Sequence, residues 1–546
     1  MTISYQQLID AFDPLELEQR FDGDFDKGIN VCHEICDRHA QGERIALIHT
    51  GLDGQTRQYS FRTLSERAAQ FAHYLKSHGI GKGDRVAGLL PRSPELLITI
   101  LGTLRVGAVY QPLFTAFGPD AIGYRLQRAQ TRLVVTNTEQ WHKVAALDSR
   151  PRTLLVGTPG DDVAADDHWD QVLAQDTVFE PVLLTREDPC LQMFTSGTTG
   201  KAKGVSVPVH ALLEFWVYMT YAVDLRPQED RFWNVADPGW AYGLYYGVVG
   251  PLSLGATIHF NEHGFTAENT LAFLQEHRIT NLAAAPTAYR LLMANEELVA
   301  QYPDIALRSA SSAGEPLNPE IVNWMQRHFD CPTADHYGQT ETGMTAANFH
   351  TAEHPRHAGG MGYPLPGFRL VVLGAEGQEL PPGETGVLAV DTDASPLMFF
   401  RGYSWGEKSA FQDHYYLTGD MVLQNDDGSF AYSGRDDDVI TSAGYRIGPS
   451  DVESSLLEHA AVVESAVVGK PDAKRGHIVK AYVVLGSRHV PSEELAEELK
   501  MFVRDRLSGH AYPREITFVD ELPKTPSGKL QRFLLRQRAA EEAGSD

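Results

Sequence analysis

Between Ile29 and Ser311 the apolar residues keep changing period, from the spacing of an amphipathic helix to the unbroken runs of a strand buried on both faces. VCHEICDRHA has a helical period, and ALIHT followed by RQYSF predicts a hairpin. LSERAAQFAHYLKSHG predicts an amphipathic helix ending on Gly79, RVAGLL a buried strand, and PELLITILGTLRVGAVYQPL a helix followed by another strand. The rhythm continues through LVVTN (133–137), TLLVG (153–157), ATIHF (256–260), NLAAAP (281–286) and a strand ending near Ser311. Strands that alternate with helices pair in parallel and are covered on both faces, so the fold class expected is α/β. From Pro364 the texture shifts to short strands and Gly/Pro turns, as in FRLVVLGAEGQELPPGETGVLAV, which predicts an antiparallel or barrel-like subdomain. A boundary is expected near GRDDDVI, and the segment after it is long enough for a small independent domain. There we expect a helix from Ser450 to His459, strands AVVESAVVG and HIVKAYVVLG, a helix from Glu493 to Leu507 and the strand ITFVD. Residues Met1 to about Lys27, acidic and poor in apolar positions, are expected to form a capping segment.

At 546 residues the chain is longer than one core normally supports, so more than one domain is expected. A formal net charge of −25 opposes binding to nucleic acid and to anionic membranes, so anionic substrates must be met by local positive groups. Four cysteines are too few for a disulfide framework in a chain of this size and fit a reducing compartment. Cys32, His33 and Cys36 sit at helix spacing, but they lack an identifiable fourth ligand and are read as buried free thiols rather than a metal site. The N-terminus has neither a basic start nor an apolar segment of signal-peptide type, and no apolar run is long enough to span a bilayer. A soluble cytoplasmic protein, with small-molecule rather than nucleic-acid or membrane partners, is the expectation.

The most informative stretch for chemistry is LQMFTSGTTGKAKG, Leu191 to Gly204. A short apolar strand leads into Thr195, Ser196, Gly197, Thr198, Thr199 and Gly200, followed by Lys201 and Lys203. Glycines let backbone N–H groups turn towards an anion, the hydroxyls add donors and the lysines add charge, which is what a polyphosphate requires. A solvated surface loop has the same composition, but the order is distinctive. It is not a Walker loop, because Thr195 stands where the first glycine would be and Ala202 follows the lysine. TSGTTGKAKG instead resembles the signature loop TSGTTGxPKG of the adenylate-forming superfamily, whose members include acyl-CoA synthetases, aryl-acid ligases, luciferases and peptide-synthetase adenylation domains. Ala202 replaces the usual proline.

Further motifs follow in the order of that family, over about Ile45 to Arg532. DHYGQTETG carries Asp335, His336, Tyr337, Gly338 and Gln339, which the resemblance assigns to the nucleotide. It also carries Thr340, for the phosphate next to the sugar, and Glu341, for Mg2+. An acidic residue beside a phosphate loop suits that ion, which takes few carboxylates and completes its shell with phosphate and water. SSAGEPL matches the adenine-contacting turn through Gly314, Glu315 and Pro316, with Tyr337 stacking on the base. In YLTGD the resemblance gives Asp420 both ribose hydroxyls. Arg435 matches the ribose and phosphate arginine, Asp437 the hinge, Arg446 a phosphate contact, and Gly444 and Arg504 the coenzyme A side. PKTPSGKLQR supplies Lys529, a fixed positive donor at neutral pH because an unperturbed lysine has a pKa near ~10.4. The architecture implied is an N-terminal domain, 1–434, with two α/β sheet subdomains and a small barrel-like one, followed by a mobile α+β domain, 435–546, carrying Lys529.

The activity implied is ATP-dependent, AMP-forming ligation of a carboxylic acid to coenzyme A through an acyl-adenylate. Acetyl-specific relatives place a tryptophan just before the QTE run, where this chain has Gly338, so more room is expected for the acid. FWNVADPGWAYGLYYGVVG, with Trp240, matches the segment that walls the acid pocket, and the combined pattern looks most like the medium-chain acyl-CoA synthetases. A medium-chain or aromatic monocarboxylic acid is therefore expected. Adenylation for a separate carrier protein and a short-chain acid are the open alternatives. A non-catalytic nucleotide sensor would be expected to lack Lys529, Glu341 or Asp420, and all are present. GYSWG, 402–406, fits the nucleophile-elbow pattern of a hydrolase through Ser404, but such an elbow needs a helix directly after it, and here the adenylate-forming pattern soon resumes.

Overall fold

In the computed structural model the parallel strands form the sheets the pattern demands. The structure describes every residue except 1–2, 159–162, 196–201, 358, 407–408, 436–437, 439, 443–444, 473–474, 487–488, 508–510, 525–529 and 544–546, and gives the backbone alone at 406, 445, 446 and 450. The first sheet has seven strands, in the order Lys203–Pro208, Pro189–Thr195, Val109–Pro112, Arg85–Leu89, Leu133–Asn137, Arg152–Val156 and Asp167–His168. All its pairings are parallel except that between the strands flanking the glycine-rich loop, which is antiparallel. Helices Phe61–Ser77 and Pro94–Arg105 begin where Ser60 and Ser93 accept the backbone N–H groups of Thr63 and Leu96. The two helices touch at Gly102, where a Cβ would lie 2.7 Å from Phe71 Cδ1 and 2.8 Å from the Ala68 carbonyl oxygen.

The second sheet has eleven strands. Phe232–Asn234, Asn281–Ala284, Ser309–Ala313 and Thr333–Gln339 pair in parallel. The sheet then turns antiparallel through Gly343–Ala347, Gly360–Pro364, Phe430–Arg435, Tyr415–Gln424, Thr385–Asp391 and Leu370–Leu373. The antiparallel subdomain expected after Pro364 is thus hydrogen-bonded in series with the second α/β sheet. The hairpin Ile45–Thr50 and Thr56–Ser60 is also present, with Ile258–Asn261 added in parallel.

A separate five-stranded sheet follows residue 440, with Glu515–Phe518 lying parallel to Gly476–Leu485. Val452, Leu456, Val467, Val483, Leu499 and Val503 pack as a core on one face, under helices Pro449–Leu457 and Glu493–Arg506. The other face is covered by the helix Arg532–Ala543, which the sequence pattern did not mark, through Leu535 and Ala539 against Ala466, Val468 and Tyr482. The N-terminal segment is more than a cap. Leu8, Leu17, Phe21 and Phe25 are buried in the main core, and strand Ile3–Ser4 pairs with Ala352–Glu353. Cys32, Cys36, Cys190 and Cys331 are all buried and unbridged. Among the described residues, no helix is long and apolar enough to cross a membrane.

Candidate active site

Strand Thr333–Gln339 ends at the carboxyl edge of the parallel strands, where open α/β sheets hold ligands. It turns directly into Gly343–Ala347, with an irregularity in register between Tyr337 and Gly338. There the two backbones are so close that a Cβ at Gly338 would lie 2.2 Å from the Gly343 carbonyl oxygen and 2.7 Å from Met344 Cα. Only glycine fits. Thr340 and Glu341 sit in the tight turn between these strands, closed by the Thr342 N–H bonding to the Gln339 carbonyl at 3.2 Å.

Alternation along this strand sends Asp335, Tyr337 and Gln339 to one side and His336 to the other. Tyr337 Oη and Gln339 Nε2, the latter at 2.7 Å, both donate to Asp420, which is only 5% exposed. Arg435, paired with Asp420 in register across the neighbouring strands, reaches its other oxygen at 3.3 Å. Tyr416 Oη donates to Gln339 Oε1 at 2.8 Å and so fixes which way the amide points. Three of the residues singled out in the sequence, Tyr337, Gln339 and Arg435, therefore converge on the carboxylate of a fourth, Asp420. His336 does not join them, because its buried ring is taken by Tyr218 Oη at 2.7 Å and by the Asn348 carbonyl at 3.3 Å. Burial holds that imidazole well below its ordinary pKa, so the side chain stays neutral.

Glu341 is buried and accepts a hydrogen bond from Tyr403 Oη at 2.9 Å. The Tyr403 ring in turn lies 4.5 Å from Lys203 Nζ, and Lys203 pairs in register with Thr195 across the base of the glycine-rich loop. The loop's two ends and the Thr-Glu turn thus meet through Tyr403. GYSWG does not have the form of a nucleophile elbow, since Ser404–Gly406 is a short 3-10 turn and, among the described residues, the next regular element is strand Phe411–Gln412 and not a helix. Trp405, in a left-handed conformation, stacks on Phe194 and occupies the space above Gly204, where a Cβ would be 2.1 Å from its ring.

Gly314, with φ +99°, ends strand Ser309–Ala313 and makes the turn that carries Glu315 and Pro316. Asp335 ties this turn to the neighbouring strand by accepting the Leu317 N–H at 3.0 Å, and Glu315 pairs with Arg290 at 2.7 Å. Burial pushes the Asp335 carboxyl up to about 7, and its second oxygen has no hydrogen-bond partner among the described residues. Trp240 packs edge-on against Phe117 and tilted against Phe114 at the head of helix Ala241–Leu244. Arg504 is exposed on helix Glu493–Arg506, bonded to the Met501 sulfur, and is not drawn to the other residues. The expectations for Ser196, Gly197, Thr198, Thr199, Gly200, Asp437, Gly444, Lys529 and the Arg446 side chain lie outside the described residues. Tyr403, Tyr416 and Gln339's partners were not legible as a set, because each bond joins positions tens of residues apart.

Comparison with known proteins gives the same direction. The family model described as AMP-binding enzyme matches residues 36–404, and that of the AMP-binding enzyme C-terminal domain matches 451–529. An acetyl-coenzyme A synthetase of Bacillus subtilis (strain 168) is 35% identical over 523 residues, covering 93% of this chain and 90% of its own. The crystal structure of an acyl-CoA synthetase from Brucella canis is 49% identical, with a TM-score of 0.80 and coverage of 99% of this chain and 100% of that one. The structure of a benzoate CoA ligase from Burkholderia xenovorans LB400 is 30% identical, with a TM-score of 0.82, covering 93% of this chain and 100% of that one.

Proposed function

This chain belongs to the AMP-binding enzyme family, as an ATP-dependent, AMP-forming acyl-CoA ligase, and from that premise we propose that its acid is a medium-chain or aromatic monocarboxylic acid. Position 338 carries this reading: no side chain projects from it, so the indole that closes the pocket of acetyl-specific relatives has no counterpart here. The likeness to a benzoate CoA ligase supports the same direction. A short-chain acid is the second reading, favoured by the acetyl-coenzyme A synthetase among the relatives.

In the first half-reaction a carboxylate oxygen of the acid attacks the phosphorus nearest the ribose, the bond to the pyrophosphate breaks, and acyl-AMP forms. In the second, the thiol sulfur of coenzyme A attacks the acyl carbon, AMP leaves and the thiol proton is released. We assign Asp420, held by Gln339, Tyr337 and Arg435, to the ribose hydroxyls, for which two acceptor oxygens are suited. Gly314, Glu315 and Pro316 are assigned to the base, with Tyr337, and Thr340 to the phosphate nearest the ribose. Thr195 and Lys203, at the two ends of the glycine-rich loop, are assigned to the departing pyrophosphate with the loop itself. Among the described residues no group of three metal-binding side chains could hold an ion alone, whereas one buried carboxylate fits an ion that takes its other ligands from a nucleotide. Glu341 would hold Mg2+, which would offset phosphate charge. Lys529 is assigned to bridge the carboxylate and the phosphate under attack, Arg446 to a phosphate contact, Asp437 to the hinge at a domain boundary of 434/435, and Gly444 and Arg504 to the coenzyme A side of the second half-reaction. Catalysis on this account is positioning and charge stabilisation, with no covalent enzyme intermediate.

The test is acyl-CoA and AMP formation over straight-chain acids from acetate to dodecanoate and over benzoate, each with and without coenzyme A. A maximum at a mid-length or aromatic acid with coenzyme A-dependent AMP turnover is expected. A maximum at acetate transfers the assignment to the short-chain reading, and a burst that coenzyme A cannot turn over points to a carrier-protein acceptor.

A further inference from the structure

Beside the strand that leaves the Thr340–Glu341 turn lies a carboxyl group that the reaction does not use. Glu214 interrupts the apolar run of helix Ala211–Val217 and is completely buried. Both of its oxygens lie within hydrogen-bond distance of Tyr246 Oη, Oε1 at 2.9 Å and Oε2 at 2.8 Å, and Oε1 accepts the Met344 N–H at 2.9 Å. It occupies the space a side chain at 343 would need, since a Cβ on Gly343, itself at φ +68°, would lie 2.1 Å from Glu214 Oε2. The next residue back, Tyr245, donates to the Thr340 carbonyl oxygen at 3.1 Å.

Two consecutive tyrosines thus grip opposite ends of one turn. The two tyrosines open Tyr245–Val249, a π-helical turn, a rare form found mostly at functional sites. Each ring is pinned in turn, Tyr245 stacked on Phe215 with centroids 4.5 Å apart and Tyr246 against Tyr218 at 4.4 Å. Burial drives the Glu214 carboxyl well above its ordinary pKa, and among the described residues no cation bonds to it, as suits a neutral hydrogen-bonding strut.

We infer that Glu214, Tyr245 and Tyr246 are positioning residues for the first half-reaction, bracing the Thr340–Glu341 turn and tying it to the segment that begins at Trp240. The inference rests on the assignment of Thr340 and Glu341 made above. Its test measures, for each variant and with the best acid, acid-dependent exchange of labelled pyrophosphate into ATP, transfer from supplied acyl-AMP to coenzyme A, and thermal midpoint. Tyr245→Phe and Glu214→Ala are expected to lower kcat for exchange by a factor on the order of 100, the cost of misplacing a reacting group by about 1 Å. KM for ATP and the transfer step should stay near the parent values, and Glu214→Gln, which keeps shape and an acceptor, should recover most of the loss. Equal loss in both half-reactions, loss in neither, or Gln no better than Ala overturns the inference. Glu341→Ala separates the two levels: if it leaves exchange intact, the assignment of the turn fails, whereas loss there with full activity in Tyr245→Phe defeats the bracing alone.

Discussion

Gly338→Ala is the smallest change that probes the hairpin on which the site is built. The added Cβ would lie 2.2 Å from the Gly343 carbonyl oxygen, whereas an unstrained carbon–oxygen contact needs about 3.3 Å, so the hairpin must open by about 1 Å. Thr340 and Glu341 lie between those two positions and move with it. A displacement of that size costs on the order of 100-fold in rate, and the strain about 1–3 kcal/mol in stability. The assay is steady-state pyrophosphate release over the acid series, with the thermal midpoint recorded alongside. We expect activity to fall by a similar factor for every acid, with the chain-length profile unchanged, because the damage is to the turn and not to the pocket. Gly338→Trp is expected to lose activity for the same reason and, in the activity that remains, to shift preference towards acetate or propionate; an unchanged chain-length profile would count against the pocket reading. Full activity in Gly338→Ala would refute the claim that this close approach sets the turn.

Asp420→Ala removes the acceptor shared by Tyr337, Gln339 and Arg435 and should raise KM for ATP by about tenfold or more, the worth of a charge-assisted hydrogen bond, with KM for the acid little changed; an unchanged KM for ATP would argue against its ribose role. Asp335 has a folded-state pKa of about 7, raised by burial above its unfolded value, so its contribution to stability is full at acid pH and is lost as pH rises through about 7. Between pH 5 and pH 8 the parent should therefore lose a few kcal/mol relative to Asp335→Asn, read from denaturant midpoints, and parallel pH curves would contradict the shift. Lys529→Ala should lose adenylate formation yet still transfer supplied acyl-AMP to coenzyme A, whereas equal loss of both steps would remove Lys529 from the first half-reaction.

Much of the fold was legible because buried parallel strands leave apolar runs that nothing else explains. LVVTN and TLLVG are strands where expected, and the helix before Gly79 stops at residue 77 with Gly79 in a left-handed conformation. The final helix escaped because its inward face is only Leu535 and Ala539, one helical turn apart amid charged residues. The N-terminal segment escaped because its buried residues are widely spaced and contact a core built from distant strands. At the candidate site, motif order singled out Asp420 and Glu341 but not the tyrosines that bond to them, since Tyr403 and Glu341 are brought together only by the fold. Glu214 did leave a signal, a lone carboxyl inside the apolar run ALLEFWV, whose meaning depends on the two tyrosines of a π-turn that periodicity does not show.

Acid-dependent exchange of labelled pyrophosphate into ATP, in the absence of coenzyme A, tests the central claim most directly. Exchange is expected to need ATP, Mg2+ and a mid-length or aromatic acid, to proceed without any thiol, and to be lost in Glu341→Ala. Exchange that appears only when coenzyme A is added, or that is indifferent to the acid, would contradict an acyl-adenylate formed first at this site.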